Sequence, residues 1–254
     1  MSILKSFCSK LVEDKMIELH NDNCLKVLGK IGDDTVDLIV TDPPYNLGEF
    51  AKSRAANLQN MRDNFFVAAG WDNVGYDEWK ELMNSFFKEA ARVSKVGGSL
   101  LMFMSIMKLE TIIEMAQQHG FYYKTVGVWH KTNPMPRNMN LHFINSTEPW
   151  LYFVYKKKTG TFNNDGKALH DFIETSVTPK REKECGTHPT QKPLDLIKFF
   201  VKTLSNEGDL VIDPFMGSGT SAVACKELNR NFIGSELDEN YYKIAEERIH
   251  GKET

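Results

Sequence analysis

Short apolar runs alternate with segments of helical period along this chain, and that rhythm restricts the fold more than any other feature. Residues 36–40 and 99–104 read as buried strands. Between them, residues 77–95 place Trp79, Leu82, Met83, Phe86, Phe87, Ala90 and Val93 at helical spacing, with Gly97-Gly98 closing the segment. Further strands are expected at 16–19, 122–130, 150–155, 210–212 and 231–234. Helices are expected at 24–30, 108–118, 193–204, 218–229 and 239–249. Strands that alternate with helices pair in parallel, because each crossover lays a helix on a sheet face. The expectation is an α/β chain with a mainly parallel sheet covered on both sides. Two stretches break the rhythm, 48–70 and 156–186. Structureless segments of that length inside a compact domain are functional or disordered. The first is a candidate mobile lid and the second a candidate recognition insert; a mobile surface loop is the plainer alternative for both.

Composition removes several classes. No apolar run in the 254 residues approaches the roughly 20 that a membrane span needs. The first residues, Met1-Ser2-Ile3-Leu4-Lys5, lack the apolar stretch and cleavage site of a signal peptide. Cys8, Cys24, Cys185 and Cys225 are scattered without a CxxC pair. That pattern points to reduced thiols in a cytoplasmic protein and to no metal site. The net charge of −3 weighs against a nucleic-acid partner. Its distribution answers the objection: from 121 to 158 the cations Lys124, Lys131, Arg137, Lys156, Lys157 and Lys158 face Glu148 alone. Such a stretch can hold a phosphate backbone locally. A solvated surface run accounts for Lys156-Lys157-Lys158 equally well.

The chemistry is concentrated at two strand ends. After the strand at 36–40 comes Thr41-Asp42-Pro43-Pro44-Tyr45. An acid, two prolines and an aromatic suit an amine on a flat ring. Asp42 can accept one amine N–H, the Pro43 carbonyl can accept the other, and Tyr45 offers a face for the ring. An exocyclic base amine is a poor nucleophile, and a carboxylate of ordinary pKa ~3.9 cannot deprotonate it in advance. The carboxylate can accept its hydrogen bond and collect the proton after transfer. After the strand at 210–212 comes Asp213-Pro214-Phe215-Met216-Gly217-Ser218-Gly219-Thr220. Gly-x-Gly opening a helix lets the backbone approach a ligand closely. The run is neither GxGxxG nor a P-loop. Glu236 follows about 20 residues later, where an acid meets ribose hydroxyls in nucleoside-cofactor folds. By itself Glu236 reads better as an acid at a helix N-terminus. Strand, glycine loop, helix, strand and acid suit a ligand with a ribose and no required phosphate, such as S-adenosylmethionine.

With these motifs the chain resembles the β-group of DNA amino-methyltransferases over nearly its full length. The catalytic motif precedes the glycine motif, as in that family. The likeness extends to Trp129-His130-Lys131-Thr132-Asn133-Pro134-Met135-Pro136 and His188-Pro189-Thr190-Gln191-Lys192-Pro193. It implies one catalytic domain over 1–254, with a Rossmann-like seven-stranded sheet, one antiparallel strand and the circularly permuted methyltransferase order. It implies S-adenosylmethionine as donor and a target base flipped from DNA. Asp42, Pro43, Pro44 and Tyr45 would hold the base. Asp213, Phe215, Gly217, Ser218, Gly219 and Thr220 would line the methionine end of the cofactor. Glu236 would take the ribose, with His188 and Lys192 near the cofactor. The family's Gly-Asp-Cys-Leu is replaced here by Asn21-Asp22-Asn23-Cys24-Leu25, so either Asp22 or Asn23 would meet the adenine. Lys131, Asn133, Pro134 and Arg137 would border the DNA, with 133–186 the candidate target-recognition region. Asp at the head of the motif favours adenine N6 over cytosine N4. An RNA or protein amino-methyltransferase and a cofactor-sensing DNA-binding protein are the alternatives from other classes. The resemblance also admits a homodimer and a cognate restriction endonuclease as partners.

Overall fold

The computed structural model describes residues 16–46, 75–135 and 143–251. The candidate lid at 48–70 and Arg137 lie outside them. Among the described residues, eight strands form one sheet. They are β1 (Ile17–His20), β2 (Val36–Thr41), β3 (Ser94–Phe103), β4 (Phe121–Lys131), β5 (Thr147–Tyr155), β6 (Phe172–Thr175), β7 (Leu210–Asp213) and β8 (Asn231–Ser235). Among the described residues the α-helices are α1 (Cys24–Leu28), α2 (Tyr76–Val93), α3 (Leu109–Gln118), α4 (Leu194–Leu204), α5 (Thr220–Glu227) and α6 (Glu239–His250).

The strand order is β1-β8-β7-β2-β3-β5-β4-β6. Every neighbouring pair is parallel except those made by β5, which runs against both β3 and β4. β6 is an eighth strand beyond the seven expected. Among the described residues it pairs only with β4, along four residues from Val128↔Phe172 to Lys131↔Thr175. An edge strand this short, with none of its residues fully buried, leaves almost no apolar signature in the sequence.

The two faces of the sheet are covered by different helices. Successive side chains on a strand point to opposite faces. Along β5, Trp150, Tyr152 and Val154 therefore join the core under α4, α5 and α6. Leu151, Phe153 and Tyr155 join the core under α1, α2 and α3. α2 forms because Trp79, Met83, Phe86, Phe87, Ala90 and Val93 make one fully buried stripe. Asp77 and Glu78 in its first turn and Arg92 in its last suit the helix dipole. The expected helix end at Gly97-Gly98 moves: α2 stops at Val93, and both glycines lie within β3. There the register with β2 slips between Val36 and Leu38. Gly97 takes φ +95°, and a Cβ on Gly98 would sit 2.9 Å from the Lys95 carbonyl oxygen. The pair marks a bulge, not a helix cap.

Candidate active site

β1, β8, β7, β2 and β3 all point their carboxyl ends at one edge, and a cavity of about 580 Å³ opens there. The volume suits a ligand of nucleoside size. Four of these strand ends deliver polar groups, and β3 ends in Phe103. Asp22 and Asn23 follow β1, Glu236 follows β8, Asp213 ends β7, and Asp42 follows β2.

Asp213 is buried to 4% exposure. Its Oδ1 accepts from Thr41 Oγ1 at 3.0 Å and from the Phe215 N–H at 3.1 Å. Its Oδ2 accepts from Ser221 Oγ at 2.6 Å. Burial nevertheless pushes its pKa up to about 7, against the lowering effect of these three donors. The next segment turns through Gly217 at φ +53° and Gly219 at φ +75°, a region that favours glycine. A Cβ on Gly219 would fall 2.8 Å from that of Ala245 in α6, so the loop can pass only without a side chain. Arg248 braces it from behind, donating to the Ser218 carbonyl at 2.6 Å and to Thr220 Oγ1 at 3.0 Å.

Glu236 spans the loop and the start of α6. Its Oε2 accepts from the Gly217 N–H at 3.0 Å, its Oε1 from the Asp238 N–H at 2.8 Å. Burial raises its pKa despite those donors. The helix-cap alternative belongs to its neighbour: Asp238, not Glu236, accepts from the Asn240 and Tyr241 N–H groups. Asn23 caps α1 by accepting from the Leu25 N–H at 2.9 Å. Asp22 accepts from the Asn23 N–H at 2.8 Å and pairs with Lys26 and Lys30. His188 packs edge-on against Tyr241, with ring centres 4.2 Å apart. Burial, then the charge of Lys192, lowers its pKa to about 4, so it is neutral near pH 7.

At the other side of the cavity, Asp42 is held from two directions. Tyr45 donates its hydroxyl to Oδ1 at 2.6 Å, and Lys192 makes a close ion pair with Oδ2. Trp79 Nε1 donates to the Pro44 carbonyl at 2.8 Å, which pins the di-proline turn to α2. Lys192 is 6% exposed, lies 4.9 Å from the Phe103 ring centre, and also reaches Glu148 Oε2 at 3.3 Å. Glu148 in turn accepts from Lys131 at 2.8 Å. Burial opposes the charge on Lys192, but Asp42 and Glu148 outweigh it and raise its pKa. Lys192, which the resemblance puts near the cofactor, lies in the cavity wall and pairs with Asp42.

The structure thus gathers Asp22, Asn23, Asp42, Pro44, His188 and Lys192 around one cavity. Asp213, Phe215, Gly217, Ser218, Thr220 and Glu236 line it as well. Pro43, Tyr45 and Gly219 support that wall without lining it. Lys131, Asn133 and Pro134 do not line it. Lys131 is tied to Glu148, and Asn133 accepts from the Val177 N–H at 2.8 Å. Sequence reasoning missed Leu82, Phe103, Leu237 and Tyr241 in the lining, and Arg248 behind it. Glu148 had a visible signal, as the one acid in a cationic stretch.

Among the described residues the lining carries the acids Asp22, Asp42, Asp213, Glu236 and Asp238 and one cation, Lys192. That balance repels phosphates and welcomes hydroxyls, amines and positive charge. A mostly parallel α/β sheet with an acid-lined cavity of nucleoside size at its carboxyl edge is a Rossmann-like arrangement. The DNA methylase family model (N6_N4_Mtase) matches residues 36–247. The type II methyltransferase M2.DpnII of Streptococcus pneumoniae is 33% identical over 250 residues, 94% of this chain and 91% of its own length. The crystal structure of the M1.HpyAVI-SAM complex aligns with a TM-score of 0.71 and 29% identity, covering 92% of this chain and all of that one. The PvuII cytosine-N4-specific DNA methyltransferase shares the fold at a TM-score of 0.72 and 18% identity, over 91% of this chain and 85% of its own. The chain belongs to the DNA methylase family, and its reaction is the S-adenosylmethionine-dependent methylation of DNA.

Proposed function

We propose that the acceptor is the N6 amine of an adenine flipped out of DNA, and that Asp42 holds it. The observation that carries this reading is the Asp42 carboxylate at the cavity wall, gripped by Tyr45 and Lys192. Asp, not Ser, at the head of this motif favours adenine within the family the chain resembles.

The cavity fits S-adenosylmethionine by its donor set. Glu236 would accept from ribose hydroxyls, Asp22 or Asn23 from the adenine amine, and the loop from Asp213 to Thr220 would face the methionine end. Bound there, the sulfonium supplies an electrophilic methyl group, and its sulfur keeps the electron pair of the broken bond. The protein supplies placement. Leaving the stack costs the target base a few kcal/mol. Stacking on Tyr45 returns roughly 1–3 kcal/mol. Asp42 accepts an N–H, keeps the nitrogen lone pair directed at the methyl, and takes the proton that leaves nitrogen. The Pro43 carbonyl would accept the second N–H, since that of Pro44 is engaged by Trp79.

Region 133–186, with Lys131, Asn133, Pro134 and Arg137, is the part of this reading that meets DNA. Cytoplasmic location, a homodimer and a cognate restriction endonuclease complete it; the relative from S. pneumoniae bears a type II name. The experiment is transfer of labelled methyl to unmethylated genomic DNA, followed by nucleoside mass spectrometry. N6-methyladenine is the expected product. N4-methylcytosine would keep the mechanism and change the base. Label in RNA or protein alone would overturn the DNA reading.

A further inference from the structure

We propose that Ile106 and Met107 form an apolar wedge that enters the base stack of the DNA as the target base leaves it. The inference rests on the base-flipping reading above. Both side chains stand in water, 73% and 58% exposed, on the 3₁₀ turn Ile106–Lys108 that follows β3. Exposed apolar residues scattered singly need no explanation, but two in succession at a catalytic edge do. Neither serves the core, because the next helix, α3, buries Ile112, Met115 and Ala116 instead. Nor does the turn require them. Ser105 caps it by accepting from the Met107 N–H, and the Lys108 N–H donates to the Ser105 carbonyl at 2.9 Å.

Their position decides what they can meet. β3 runs beside β2 with Thr41 opposite Met102, so Asp42 and Phe103 leave the sheet side by side, and both line the cavity. Ile106 follows Phe103 by only three residues. In the strand order, β3 stands between β2, which leads to Asp42, and β5, β4 and β6, which carry the side that meets DNA in the proposed reading. A duplex that lies across this edge while one of its bases reaches Asp42 passes the turn. The turn is also fixed to the base seat. Lys108 Nζ lies 4.2 Å from the Tyr76 ring centre and 5.0 Å from that of Trp79. Those two rings stack, and Trp79 donates to the Pro44 carbonyl. Lys80 approaches the same Tyr76 ring at 5.6 Å, so two ammonium groups are held there for the phosphates that flank an opened step. An apolar side chain between base steps replaces stacking lost when the step opens. A wedge tied to the seat of the base makes extrusion and filling a single event.

The test compares single-turnover transfer to two duplexes that carry a site mapped by sequencing methylated genomic DNA. One has the target base paired and the other has it mismatched; the full chain is used, saturated with cofactor and DNA. A mismatched base is the cheaper to extrude. Ile106→Ser with Met107→Ser should slow transfer roughly tenfold or more on the paired target and less than about threefold on the mismatched one. With 2-aminopurine in place of the target base, the fluorescence that rises on wild-type binding should rise far less with this variant. Ile106→Leu with Met107→Leu keeps the apolar tip and should stay close to wild type on both duplexes. Equal losses on the two duplexes would overturn the proposal, as would wild-type rates on both for the serine variant. A serine variant that slows both alike and shifts the sedimentation of the DNA-free protein would make the pair a contact between copies of the chain, which also overturns it. No brightening with wild type, together with equal wild-type rates on the two duplexes, would sink the flipping reading itself and the wedge with it.

Discussion

The carboxyl edge of the sheet has two sides that differ in kind. Under β1, β8, β7 and β2 it is an acid-lined cavity, with backbone N–H groups and hydroxyls committed to Asp213 and Glu236. Past β3, around β5, β4 and β6, polar groups pair with one another: Lys131 with Glu148, His130 with Glu174, Asn133 with the Val177 N–H. The first side is built around a space, the second around itself. A site that holds one small molecule needs fixed donors aimed into a cavity. A surface that meets a polymer needs only accessible charge and shape.

The sharpest way to break that contrast lies at its boundary. Asp42→Asn keeps the shape and removes the proton acceptor, so transfer should slow by roughly a hundredfold to ten-thousandfold. Affinity for S-adenosylmethionine, measured by calorimetry, should change little. A parallel loss of cofactor binding would mean that Asp42 belongs to the cavity side alone.

Next in size is Gly219→Ala. The left-handed backbone there costs a non-glycine residue about 1–2 kcal/mol. The new Cβ would also meet Ala245 at 2.8 Å. We expect a lower melting temperature and cofactor binding weakened about tenfold or more. Gly208, also left-handed at φ +83° but with open space around it, serves as control. Its alanine variant should lose some stability and leave cofactor binding unchanged.

The two sides also differed in how far the sequence disclosed them. Asp42, Asp213, Gly217 and Glu236 were readable because each follows a buried strand, and strand ends of a parallel sheet converge. The helices α2, α4 and α6 were readable from their apolar spacing. β6 was not, because its four residues gain identity only from pairing with β4. The stop of α2 at Val93 was missed because Gly97-Gly98 has the signature of a cap and serves as a bulge. Arg248 and Tyr241 carry no local mark; they reach the site because α6 packs behind the glycine loop. The Lys192 pairing crosses 150 positions of sequence to Asp42, and no spacing rule reports it.

A pH series separates two buried groups inside the cavity. Asp213 has its folded pKa raised to about 7, so the native state holds its proton more tightly and stability falls as pH rises toward that value. His188 has its folded pKa lowered to about 4, so the unfolded state binds the extra proton and stability falls as pH drops below its ordinary 6.5. The slopes oppose each other between about 4 and 6.5. Urea denaturation of His188→Gln should therefore show stability rising on acidification through that window, and Asp213→Asn should show it falling. Equal profiles for both variants would mean that neither group titrates as its burial dictates.

The smallest expected effect belongs to the outer side. Lys180 and Arg181 sit exposed on the short 3₁₀ turn Lys180–Lys183, inside the candidate recognition region. That turn is tied to the start of α4, because Gln191 donates to the Glu182 carbonyl and the Leu194 N–H donates to its carboxylate. Two exposed cations held on a fixed support next to the cavity wall can contact phosphates without reading bases. Each phosphate contact contributes about one unit to the slope of log affinity against log salt. Lys180→Ala and Arg181→Ala should each weaken DNA binding a few-fold, lower that slope by about one, and leave cofactor affinity untouched. An unchanged slope would remove this turn from the DNA surface, and the contrast between the two sides would then have to be drawn from Lys131 and Asn133 alone. A change in cofactor affinity would show that the two sides are coupled through α4, whose first residues follow directly on Lys192.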